Sequence, residues 1–212
     1  MSTRYLACVV LGGEYKIAQY GQSSGYPSSA GIGILRFLTA VDVPMFKDKV
    51  SQLRFLSEEE STQKNDEIDN YVKGMSKDEV ELLRKEDEDL LLNPSPELYE
   101  KYFSRPFIHL HRDLGYKIFD FVMRHSNIPP LQNDINFAGC SLHCECVYVI
   151  DLDKEQFEVY RGLNKEPVPP GERFCDFEGY REYFPVKFQH QFALDQLPDE
   201  SGFLRLCQEN EA

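Results

Sequence analysis

The amino-acid sequence predicts an α+β fold: an antiparallel sheet built from N- and C-terminal hairpins, covered by helices, with an acidic helical insertion at residues 57–95. Three observations carry this. Paired β-rich apolar runs lie near both ends of the chain, apolar residues recur at helical spacing between them, and strands and helices do not alternate as a βαβ series would. A length of 212 residues fits one domain over 1–212 that buries a core without staples.

The first hairpin pairs Tyr5–Leu11 with Glu14–Tyr20 across Gly12-Gly13, which supplies the positive φ of a tight turn. Residues Gly21–Gly33 are rich in Gly, Ser and Pro and predict a loop, with Ser28 or Ser29 capping the next helix. Ile34, Leu35 and Leu38 give that helix a buried side. A second helix starts near Asp42, with Phe46, Val50 and Leu53 on one face. From Ser57 the chain turns dense in Glu, Asp and Lys, and Ser76-Lys77-Asp78-Glu79 matches a capping box, so a solvated helical insertion follows. Ser95-Pro96-Glu97 predicts another helix start. Leu114, Ile118, Phe121 and Val122 predict a helix from about Asp113 to His125, stopped by Pro129-Pro130. Cys144–Leu152 and Gln156–Tyr160 form a second hairpin around Asp153-Lys154-Glu155. A Pro/Gly loop covers Glu166–Gly171, and Phe184–Phe192 reads as a late strand.

The formal charge of −13, from 36 acidic and 23 basic residues, repels phosphate backbones and disfavours general nucleic-acid or anionic-membrane binding. The N-terminal apolar run is too short for a spanning helix or a signal peptide. Six cysteines then read as reduced thiols, and a cytoplasmic address follows.

Cys140, His143, Cys144, Glu145 and Cys146 concentrate metal-capable side chains, but one cluster lacks the second knuckle of a structural zinc site. On a straight strand Cys144 and Cys146 share one side while Glu145 faces the other with Val147 and Val149. Buried thiols are the preferred reading, with no metal. Cys144 as nucleophile needs a base, for which His109 or His111 is better placed than His143. Glu145 opens an apolar strand and needs a partner if it faces inward, Arg4 and Arg112 being the nominated cations. The Gly21–Gly33 loop lacks the Lys-Ser/Thr ending of a P-loop, yet N–H groups at the following helix start attract anions. Asp151 and Asp153 frame the second hairpin turn, as Asp does through side-chain bonds to nearby backbone.

Three pieces resemble a largely uncharacterised family of small fungal and bacterial proteins. They are Ser2-Thr3-Arg4 through Ala18-Gln19-Tyr20-Gly21-Gln22-Ser23-Ser24-Gly25-Tyr26-Pro27, then Arg112-Asp113-Leu114-Gly115, and then Phe137 through Cys144-Glu145 into Val147–Asp153 and Phe157–Gly162. The chain departs from that pattern at Ser23-Ser24, where Trp-Asp is expected, at Cys146, where Trp is expected, and at His143, where an aromatic is usual. If those aromatics line a shared pocket, the resemblance implies that this chain has reshaped it, towards a new substrate or a lost activity, and it implies a place in fungal specialised metabolism.

Together these readings point to a small-molecule site where the Gly21–Gly33 loop meets the start of the Cys144-Glu145 strand. Glu145, Cys144 and Arg112 are the catalytic candidates, and Tyr20, Gln22 and Tyr26 the substrate-binding ones. The expected chemistry is acid/base or amide-type, on a small polar metabolite and without an organic cofactor. The alternative is a non-catalytic ligand-binding or protein-interaction module.

Overall fold

A computed structural model describes residues 3–92, 114–125 and 128–208, with backbone alone for Arg84 and residues 86–92. Five strands make one sheet in the order β2-β1-β3-β4-β5. They are β1 Tyr5–Leu11, β2 Glu14–Gly21, β3 Cys146–Asp151, β4 Gln156–Arg161 and β5 Lys187–Ala193. Both predicted hairpins form, Gly12 and Gly13 taking φ of +67° and +74° in the first turn.

The sheet is mixed, not antiparallel throughout. The two hairpins join through β1 and β3, which run parallel with Tyr5 opposite Cys146 and Val10 opposite Asp151. Both strands are near-continuous apolar runs buried on both faces, the pattern of central parallel strands and not of half-solvated antiparallel ones. That continuity was visible in the sequence. Strand polarity was not.

Among the described residues the helices are α1 Ile32–Ala40, α2 Val43–Ser51, α3 Glu58–Val72, α4 Lys77–Leu92, α5 Ile118–Arg124 and α6 Glu200–Gln208. Asp42 caps α2, its carboxylate accepting from Met45 N–H at 2.9 Å. Ser57 and Glu60 form a reciprocal capping box at α3. Ser76 and Glu79 do the same before α4, Ser76 N–H donating to Glu79 Oε2 at 2.7 Å. No residue of α3 is buried, as a solvated insertion requires.

Several boundaries differ from expectation. Neither Ser28 nor Ser29 caps α1, because a π-helical turn at Pro27–Gly31 leads straight into it. The helix expected from Asp113 begins as a 3₁₀ turn at Gly115–Lys117, where Gly115 adopts φ +52°, and α5 is only seven residues long. The helix start at Ser95 lies outside the described residues. Helix α6 was not anticipated, although Asp199, whose carboxylate accepts from Gly202 N–H at 2.7 Å, and the spacing of Phe203 and Cys207 mark it.

Two cores sit on the two sheet faces. Tyr5, Ala7, Val9, Tyr148, Ile150 and Phe157 pack against α1, α2, α5 and α6 through Leu38, Phe46, Phe119 and Phe203. On the other face Leu6, Cys8, Val147, Val149 and Tyr160 are covered by a 3₁₀ segment at Ile135–Gly139 and by loop residues Phe174 and Val186.

Candidate functional site

The N-terminal ends of the parallel pair carry the candidate site. Glu145 N–H donates to the Arg4 carbonyl, and Gly162 N–H to the Glu145 carbonyl, each at 2.9 Å. The ladder therefore runs one residue past β1 and β3 and sets Arg4 beside Glu145. Leu6 and Val147, two residues further along each strand, lie in the loop-side core.

The glycine-bearing loop is anchored onto the same end. Gly25 N–H donates to the Thr3 carbonyl at 3.0 Å, and the buried Tyr148 hydroxyl donates to the Gly25 carbonyl at 2.8 Å. A Cβ on Gly25 would come within 2.8 Å of Tyr5 side-chain carbons and 2.9 Å of the Thr3 carbonyl, so glycine permits this close approach. The loop's own N–H groups are taken up internally, Ala30 on Ser24 O and Ser29 on Tyr26 O, which removes the expected anion cradle at the helix start.

From this platform Tyr26, which is exposed, reaches Glu145. Its hydroxyl lies 3.5 Å from Glu145 Oε2, the outer edge of hydrogen-bond reach. Beside them Arg4 Nη2 sits 3.0 Å from His143 Nδ1. A guanidinium only donates, so Nδ1 accepts and the imidazole carries its proton on Nε2. The His143 ring lies 5.9 Å from that of Tyr180, and the Arg181 guanidinium covers Tyr180 at 5.2 Å. A carboxylate, an imidazole, two phenols and two guanidinium groups thus lie along one sheet end, the Tyr26–Glu145 pair joined to the Arg4–His143 pair through the backbone bond from Glu145 to Arg4. Such a set can hold an anionic group and move a proton.

Of the sequence candidates, Glu145 and Tyr26 meet here. Tyr20 stands opposite Leu6 in the ladder, hence on the same face, its ring 5.1 Å from Phe137. The Tyr20 hydroxyl donates to Gln22 Oε1, so these two form a polar pair of their own. Arg4, nominated as a cation for Glu145, makes no ion pair with it among the described residues and turns to His143 instead. Arg112, His109 and His111 lie outside the described residues.

Cys144 does not serve as a nucleophile in this arrangement. It is fully buried, with Sγ 3.5 Å from the Cys146 carbonyl, and burial first and neighbouring thiols second hold its thiol well above the usual range. It also lies in the loop-side core with Val147, whereas Cys146 lies in the helix-side core. The expectation that these two cysteines share a face fails because β3 begins only at Cys146, and Cys144 N–H closes a turn onto Cys140 O. Among the described residues no three His, Cys, Asp or Glu side chains gather in a metal-holding group.

A second polar cluster was missed. Arg173 lies over the loop-covered face and donates from Nη2 to Asp151 Oδ2 at 2.5 Å and to Glu158 Oε1 at 2.8 Å, and from Nε to Glu158 Oε2 at 2.6 Å. Tyr160 Oη donates to Glu158 Oε2 at 2.7 Å. Asp151 also accepts from the Asp153 and Lys154 amides, the turn role expected of it. Glu158 between Phe157 and Val159 was the legible hint of an inward charge; its partner, fifteen residues on, had no local signal.

No family model, curated protein or solved structure matches the chain. Among the described residues no single helix is long and apolar enough to cross a membrane.

Proposed function

We propose that this chain is a small-molecule enzyme that holds an anionic polar metabolite at the Arg4–His143 pair and moves a proton with Glu145 and Tyr26. The observation that carries this reading is the meeting of Tyr26 and Glu145, 119 residues apart in sequence, beside a guanidinium–imidazole pair. Glu145 would act as the base and the Tyr26 hydroxyl as the donor that follows charge on the substrate. The two oxygens stand 3.5 Å apart, and catalytic hydrogen bonds commonly tighten only in the complex.

The resemblance to a fungal and bacterial family supports chemistry on a small metabolite in the cytoplasm. His143 and Ser23-Ser24, where that family carries an aromatic and Trp-Asp, flank the site and favour a shifted substrate, in keeping with specialised metabolism.

The test is to incubate the purified chain, and its Glu145→Gln variant, with a metabolite extract and follow losses and gains by mass spectrometry. The wild type should deplete at least one anionic metabolite that the variant leaves intact. A metabolite retained by both proteins but converted by neither would make the chain a binding module. Identical profiles for extract, wild type and variant would remove the proposal.

A further inference from the structure

The sheet end that carries Glu145 and His143 has two features that proton transfer leaves unused. The first is apolar. Among the described residues seven large apolar side chains are exposed, and four of them, Tyr26, Leu163, Tyr180 and Phe184, belong to this end. Backbone bonds set the last three around the turn that bears His143. Leu163 N–H donates to the Ser141 carbonyl at 2.8 Å and Phe184 N–H to the Asn164 carbonyl at 2.9 Å. Tyr180 and Tyr183 exchange bonds at 2.9 and 3.1 Å across Arg181-Glu182, and the Tyr180 ring stands 5.9 Å from that of His143.

The second feature is backbone strain. Ser24, Leu163 and Arg181 are three of the four non-glycine residues with positive φ among the described residues, at +61°, +55° and +57°, and all three belong to this end. Leu163 combines the two features, being 58 % exposed and left-handed, where Gly or Asn would sit with less strain. One exposed Leu is ordinary, whereas an apolar cluster beside convergent polar groups marks a ligand surface. Strained backbone collects at such surfaces, because the site needs a particular side chain there. A wholly hydrophilic metabolite would leave Leu163, Tyr180 and Phe184 in water, with nothing to offset the strain.

We infer that the metabolite is an amphipathic anion, its carboxylate at the Arg4–His143 pair and its apolar body on Leu163, Tyr180 and Phe184. The head rests on the reading of the site as an anion-holding enzyme centre; the body is read from the exposed cluster.

The experiment titrates the full-length chain with acetate, butyrate, hexanoate and octanoate, all as monomers, and reads amide chemical shifts by NMR. The signals of His143, Leu163 and Tyr180 should move together and saturably. Affinity should rise about two- to fourfold for each added methylene, a fully buried one being worth about fourfold. Leu163→Asn should flatten that rise, and because Asn tolerates the left-handed conformation the variant stays folded and loses contact alone. Phe184→Ser should flatten it likewise. Arg4→Gln should weaken all four anions by a similar factor and leave the rise intact. Equal affinity for acetate and octanoate, or a rise unchanged in both Leu163→Asn and Phe184→Ser, would overturn the apolar body while the anion-holding pair stands. Unchanged binding in Arg4→Gln would overturn the placement of the head. No saturable response to any carboxylate would remove the anion-holding pair itself, and this inference with it.

Discussion

Arg173 grips Glu158 with two parallel hydrogen bonds, at 2.6 and 2.8 Å, and so fastens a long loop to the loop-covered face of the sheet. The bidentate geometry and the near-complete burial of both carboxylates make this a charge group whose members depend on one another.

Arg173→Met should therefore destabilise the protein by about 3–5 kcal/mol, the cost of leaving buried carboxylates without their cation. The midpoint of urea unfolding at neutral pH measures it. The loss should shrink in acid. Burial raises the Asp151 carboxyl, but the Lys154 amide and the Arg173 guanidinium outweigh it and hold the group below its ordinary value. A carboxyl depressed by folding stabilises above its unfolded value, about 3.9, and that contribution disappears as pH falls through the folded value. The gap between wild type and variant should accordingly narrow below about pH 4.

The Tyr148 hydroxyl, buried under the sheet end, is the post on which the glycine loop rests. Tyr148→Phe keeps the ring packed against Tyr5 and Phe157 and removes the hydroxyl that donates to the Gly25 carbonyl. The expected cost is about 1–3 kcal/mol, because the carbonyl stays buried and unmet. Amide exchange should accelerate at Gly25, Ser29 and Ala30 while β3 and β4 stay protected. Unchanged exchange in that loop would show that something other than Tyr148 holds it in place.

Local patterns carried most of what could be anticipated. Gly12-Gly13 acts through its own positive φ, and Asp42 and Ser76 with Glu79 through bonds made within a few residues, so the sequence shows them directly. The meeting of Tyr26 with Glu145 was legible only as a proposed junction, since its geometry depends on Gly25 fitting under Thr3 and Tyr5. Parallel pairing of β1 with β3, and the pairing of Arg173 with Asp151, join residues with no local relation. Cys144 misled for a physical reason: alternation holds inside a strand, and this residue precedes one.

His125 closes α5, its ring 4.7 Å from that of Phe121 and its carbonyl accepting from Lys49 Nζ at 2.8 Å. Burial first, then the charges of Lys49 and Arg124, push its imidazole down to about 4. The unfolded chain takes up that proton near 6.5 while the folded chain does not, so stability is full above 6.5 and declines as pH falls towards 4. His125→Gln should flatten this part of the profile. Thermal midpoints of both proteins between pH 7 and 4 check it, the variant gaining on the wild type throughout the descent.

Gly162 allows the turn before β3 to lie against the end of β4. A Cβ there would overlap the Cys144 carbonyl oxygen and come within 2.7 Å of the Ser141 carbonyl, both backbone atoms that no rotamer change can clear. Gly162→Ala should cost about 1–3 kcal/mol as an overpacked site. It should also displace Glu145, whose carbonyl accepts from the Gly162 amide at 2.9 Å. Gly171→Ala is the natural comparison, with φ of +90° but nothing within 4 Å of the added carbon. That variant is strained in backbone conformation alone. Loss of metabolite depletion in Gly162→Ala but not in Gly171→Ala, with both proteins folded by circular dichroism, would tie the position of Glu145 to the chemistry. Equal activity in the two would break that tie.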